Sequence, residues 1–122
     1  MRLFGAMMFM ALVAVGCAPS LPSVPQDPHQ MTGSWGGWLI KPRSFEWINL
    51  EIRDDGAFEL TGEWGIQSNG VLVVRDGRVR FEGSRAWRGT LVLTDSAAGP
   101  VLKLGRDDRT EEGTLHRRPR AG

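Results

Sequence analysis

The chain has 122 residues, 41% of them hydrophobic and 24% charged, a balance that excludes a disordered chain and a multi-span membrane protein and allows one small domain. Its 15 basic and 14 acidic side chains leave a formal charge of +1, so nothing electrostatic favours nucleic acid as a partner.

The chain opens on a positive Arg2 and an uncharged apolar run of 13 residues, Leu3 to Val15. A helix needs about 20 apolar residues to span a bilayer, so residues 1–16 read as a cleaved leader and not as a resident span. Val13-Ala14-Val15-Gly16-Cys17 resembles the lipobox of bacterial lipoproteins, with Gly directly before the single cysteine of the chain. The resemblance implies cleavage before Cys17, thioether lipidation of its sulfur and acylation of the new amino terminus. Ala14 stands where that family most often has Leu. A plain secretory leader would leave an odd thiol in an exported protein, and lipidation removes that liability. More than one acyl chain anchors a protein stably. Ala18 stands where an Asp would mark inner-membrane retention, so the expected location is the cell envelope: the outer membrane, facing the periplasm, in a Gram-negative host.

Residues 17–31 carry Pro19, Pro22, Pro25 and Pro28, a proline at every third position. That spacing matches polyproline II, which has three residues per turn and rises about 3.1 Å per residue, so the segment reads as a semi-rigid tether with a reach of roughly 40 Å.

From residue 32 to residue 122 apolar and polar side chains alternate with period two, and no stretch shows helical spacing. The pattern predicts strands over about 33–40, 46–53, 57–64, 70–75, 78–83, 86–94, 100–105 and 113–117. The clearest turn is Arg75-Asp76-Gly77-Arg78, because Asp-Gly suits a two-residue type I′ hairpin; its register pairs Val74 with Val79 and Leu72 with Phe81 on one apolar face. Asp54-Asp55-Gly56 and Ser68-Asn69-Gly70 read as further tight turns, Asp95 to Pro100 and Asp107 to Glu112 as longer loops. Eight short strands joined in this way predict an all-β domain, an antiparallel up-and-down barrel whose closure leaves no edge unpaired, with a β-sandwich as the alternative. An eight-stranded interior holds packed side chains or one small ligand. The inward candidates are Trp35, Phe58, Leu60, Trp64, Leu72, Phe81, Trp87 and Leu91.

Gly33-Ser34-Trp35 resembles the Gly-x-Trp signature that opens the first strand of lipocalins and, in similar form, of avidin-type barrels. The resemblance implies that Trp35 plugs one end of a barrel and that a basic residue of the last strand, Arg117 or its neighbour Arg118, packs across its ring. The domain is shorter than a typical lipocalin and lacks the helix that family carries near its C-terminus.

Little in the chain suggests catalysis, cofactors or metal. The histidines are His29, in the tether, and His116, on the last strand, and no Gly-x-Ser-x-Gly elbow accompanies them. The cysteine is assigned to lipid, no histidine pair has ligand spacing, and neither Asp54-Asp55-Gly56 nor Asp107-Asp108 has the alternating order of a calcium loop. Alternation puts Glu59 and Glu63 on the outer face, away from any shared cleft. His116-Arg117-Arg118-Pro119-Arg120 reads as a solvated terminus, apart from the arginine expected on Trp35. Trp38 and Trp47 stand out of phase with the apolar face of their strands, and exposed aromatics mark partner sites; a register slip or bulge would instead turn them inward.

The leading expectation is therefore a non-enzymatic, membrane-anchored module whose outer surface, around Trp38 and Trp47, binds another envelope protein, an inhibitor of a protease or of lysozyme being one concrete form. The second is a lipocalin-like carrier or sensor of a small apolar ligand, which requires an open interior of about 300 Å³ or more. An enzyme built on His116 comes last.

Overall fold

The computed structural model of the chain describes residues 26–107 and 110–119. Cys17, the leader, most of the tether and Arg120 lie outside the described residues.

A 3-10 helix, Pro28–Met31, precedes eight strands: β1 (Gly33–Ile40), β2 (Phe45–Ile52), β3 (Ala57–Gly62), β4 (Gln67–Arg75), β5 (Arg78–Gly83), β6 (Arg88–Ser96), β7 (Gly99–Arg106) and β8 (Glu112–Arg117). Each pairs antiparallel with the next, and β8 pairs with β1, so the sheet is a closed up-and-down barrel and not a sandwich. Closure satisfies the backbone hydrogen bonds that an open sheet would leave along its two edges.

Local chemistry explains much of the register. The Asp76-Gly77 turn has positive φ at both residues, 52° and 76°, as a type I′ hairpin requires, and it sets Val74 opposite Val79 and Leu72 opposite Phe81. In each strand the residues of one parity meet inside. Trp35, Leu39, Ile48, Leu50, Phe58, Leu60, Phe81, Leu91, Leu102, Leu104 and Leu115 are all buried and form one cluster. Phe58 and Phe81 meet edge to face there, with ring centroids 6.0 Å apart.

Several expectations need correction. Trp64 does not point inward: β3 stops at Gly62, Trp64 lies in the following turn, and it is 66% exposed. Alternation had continued past the residue where pairing ends. Ser68-Asn69-Gly70 is not a turn but part of β4, its backbone paired with β3; the reversal falls at residues 63–66. Val74 keeps the expected register yet is 53% exposed, because it stands beside the turn at the barrel's rim. The expected loop from Asp95 to Pro100 shrinks to Ala97 and Ala98, with Ser96 paired to Gly99. The segment assigned to the tether ends earlier than residue 31. Asp27 caps the 3-10 helix by accepting from the His29 N–H, Pro28 starts it where its missing donor costs nothing, and Met31 is fully buried in the core.

Because every connection reverses the chain, the β2–β3, β4–β5 and β6–β7 turns share one end of the barrel with the 3-10 helix and the C-terminus. The β1–β2, β3–β4, β5–β6 and β7–β8 connections form the far end.

Candidate functional site: barrel ends and aromatic face

Trp35 and Arg117 come together at the helix end. The Arg117 guanidinium lies over the Trp35 ring, 4.4 Å from its centroid, and donates to two carbonyls, Thr32 O at 2.7 Å and Gln30 O at 3.1 Å. The indole Nε1 donates to Met31 O at 2.8 Å. One cation thus holds both the plug and the chain segment that crosses it. Gly33 permits this twice over: its φ is +132°, and a Cβ there would come within 2.6 Å of Arg117 Nη1. Arg118 does not stack on Trp35; it donates to the Asn49 side chain on the outer face.

A second arginine-on-tryptophan contact closes the far end. Arg106 sits 3.7 Å from the Trp87 ring centroid, donates to Glu111 at 2.9 Å, and reaches the Ala86 carbonyl at 3.4 Å. Both partners of this ion pair are nearly buried, and the Arg106 Nε is left without a hydrogen-bond partner. At the same end, the carboxylate of Glu46, 1% exposed, accepts from Lys41 Nζ at 2.6 Å and from the Trp64 N–H at 3.0 Å. No sequence signal had pointed to Arg106, Glu111, Glu46 or Lys41, whose partners are fixed only by the barrel's registers.

The outer face of β1 and β2 carries the residues that stood out of phase. Trp38 pairs with Trp47 and Ile40 with Phe45, all four at outward positions and without a bulge. Trp38 is 45% exposed, Ile40 and Phe45 more so, while Trp47 is half-buried. The Trp38 ring meets both Phe45 and Trp47 edge to face, each at 5.2 Å between centroids and at 89° and 88°. Trp47 is braced by Nε1 donating to Asn49 at 3.3 Å and by its backbone N–H donating to Glu63 at 2.9 Å. The result is an apolar patch held in a fixed geometry at the far end of the barrel. Across β8, Trp38 adjoins Thr114 and Ile40 adjoins Glu112, which border a shallow groove of about 230 Å³ lined also by Val92 and Lys103.

Other candidate groups are dispersed. His116 is exposed on β8 and His29 exposed in the 3-10 helix, while Glu59 and Glu63 face solvent. Asp55 accepts from the Ala57 N–H, so its carboxylate shapes the turn. Among the described residues no group of three or more His, Cys, Asp or Glu is placed to hold a metal ion. On β5, Arg80 pairs with Asp107 and with Glu82. The Arg80 hydrogen bond holds the Asp107 carboxyl below its ordinary range, and the same bond raises Arg80.

Comparison of the chain with family models, with curated proteins and with solved structures gives no match.

Proposed function

We propose that the chain is a lipid-anchored, non-enzymatic envelope protein that uses the Trp38, Ile40, Phe45 and Trp47 face to dock another envelope protein. The observation that carries this reading is the exposed aromatic cluster itself. Four large apolar side chains stand outward on neighbouring strands, and two edge-to-face contacts keep the three aromatic rings among them in one arrangement before any partner arrives. Aromatic anchors of this kind contribute strongly when a partner desolvates them, and preorganised ones have little conformational entropy left to lose. The partner's complementary surface is apolar with a mixed polar rim, since Lys103, Glu112 and Glu63 border the patch. Its direction also supports a protein partner over the anchoring bilayer. The chain leaves the barrel at the helix end, towards Cys17, whereas the aromatic face lies at the far end.

The carrier reading has less support, because large side chains converge inside and an arginine-covered tryptophan stands at each end. Acylation of Cys17 and the outer membrane as destination stay part of the proposal, supported by the lipobox resemblance.

The test is photo-crosslinking in intact cells with the reactive residue placed at Thr114, beside Trp38, and separately at Glu59, on the outer face away from the patch. A discrete protein adduct from position 114 that disappears with Phe45→Ser, and none from position 59, is the expected result. Equal adducts from both positions, or a native mass of the purified chain that carries an extra few hundred daltons lost on denaturation, would overturn it.

A further inference from the structure

The chain enters the fold at a defined place. The Gln26 side chain lies along the backbone of Leu93, accepting from its N–H at 2.9 Å and donating to its carbonyl at 3.3 Å. β5 pairs with β6 no further than Val79 opposite Leu91, so Leu93 lies just past the last pair. Gln26 therefore fills the position where β5 would have continued, and its neighbour is the β4–β5 turn, Arg75-Asp76-Gly77-Arg78.

That turn carries a feature the barrel does not need. Arg75 and Arg78 face each other directly across the hairpin, an arrangement of like charges that destabilises a strand pair. Both are exposed, and neither side chain has a hydrogen-bond or ion-pair partner among the described residues. With Asp76, Arg80 and Thr90 they line a depression of about 520 Å³. The charge of Arg80 is already met by Asp107 and Glu82, so Arg75 and Arg78 against the one carboxylate of Asp76 leave the depression net cationic.

We infer that this depression binds a phosphate-bearing group through Arg75 and Arg78, and that in the anchored protein the group is the headgroup of an anionic phospholipid. Planar guanidinium forks match phosphate oxygens two at a time, and an anion between the two arginines converts their repulsion into attraction. The tether gives the source. Nine residue steps separate Cys17 from Gln26, a reach of no more than about 32 Å even fully extended, and the chain arrives beside this turn. The Arg75–Arg78 hairpin is then among the parts of the barrel nearest a bilayer that holds lipid on Cys17. The phosphate site itself is independent of the docking face; only the choice of headgroup as its source rests on the anchor.

The experiment follows the arginine side-chain Nε–H signals by NMR in the full acylated chain, held in neutral detergent micelles. The probes are micelles doped with phosphatidylglycerol, micelles doped with phosphatidylcholine, and inorganic phosphate. Saturable shifts of Arg75 and Arg78 with phosphatidylglycerol alone are expected, with apparent affinity falling about fivefold for each arginine changed in Arg75→Gln and Arg78→Gln. Arg43→Gln, in the far-end β1–β2 turn, should change nothing. Equal saturation by inorganic phosphate would uphold the phosphate site and overturn the lipid as its source. No saturable shift with any probe, or a remaining arginine that saturates as before in each single substitution, in a chain whose tryptophan fluorescence is native, would overturn the site.

Discussion

The two ends of the barrel solve one problem with different materials. At the helix end a tryptophan is covered by main chain, and the cation over it stays exposed while it holds two carbonyls. At the far end no helix among the described residues crosses the opening, and Arg106 over Trp87 is secured by a nearly buried carboxylate, with the Glu46–Lys41 pair at the same end. An exposed cation stays hydrated and costs little to place, whereas a buried pair must offset the desolvation of both partners. The helix end should therefore tolerate loss of its arginine, whereas the far end should suffer when one charge of its pair is removed without the other.

The sharpest way to break the comparison is to remove the shared tryptophan element. Trp35→Ala should cost about 3–5 kcal/mol, because the ring is fully buried and its cavity is framed by rigid strands; urea unfolding checks it. Next, Glu111→Ala should cost about 3 kcal/mol by leaving Arg106 charged and unpaired in a nearly buried place, while Glu111→Ala with Arg106→Leu should recover much of that loss. Arg117→Ala is expected to cost only about 1–2 kcal/mol, the sum of one exposed cation–π contact and two hydrogen bonds. If Arg117→Ala proves as damaging as Glu111→Ala, the distinction between the two ends fails. The smallest effect concerns pH. Asp107 has a folded-state pKa below its unfolded value near 3.8, so its pairing with Arg80 stabilises the fold above that value and is lost as pH falls through the folded one. Asp107→Asn should therefore lower stability slightly at neutral pH, with the loss vanishing below the folded pKa so that the acid limb flattens; the effect is small because the pair is partly exposed to solvent.

The same contrast divides what could be read from the sequence. Gly33-Ser34-Trp35 is a local signal whose spacing encloses its own reason, the positive φ of Gly33 and the plug two residues on. Arg117, with Arg118 as its alternative, was expected only from the lipocalin resemblance, and the β1–β8 register sets it opposite Trp35. The hairpin at Asp76-Gly77 was equally legible, since turn chemistry and alternation fix the same register. Arg106 and Trp87 meet only because β6 and β7 pair with Gly89 opposite Arg106, a register that no short motif announces. Glu46 looked like an ordinary polar residue in a half-buried strand, yet its parity sends it inward, where Lys41 and the Trp64 N–H receive it. Trp64 misled in the opposite direction, because periodicity cannot show where hydrogen-bonded pairing stops. The outward placement of Trp38 and Trp47 was visible as a phase mismatch, but a bulge would have produced the same pattern.

The clasp of Gln26 on Leu93 bears on how the domain carries load. Tension on the chain N-terminal to Gln26 is delivered partly to the backbone of β6, and beyond it to the helix segment that Arg117 ties to β8. β6 and β8 thus take up part of the pull before β1 can be drawn away from its neighbours. If the chain is anchored through Cys17 as proposed, a barrel wired in this way resists unzipping from its loaded terminus.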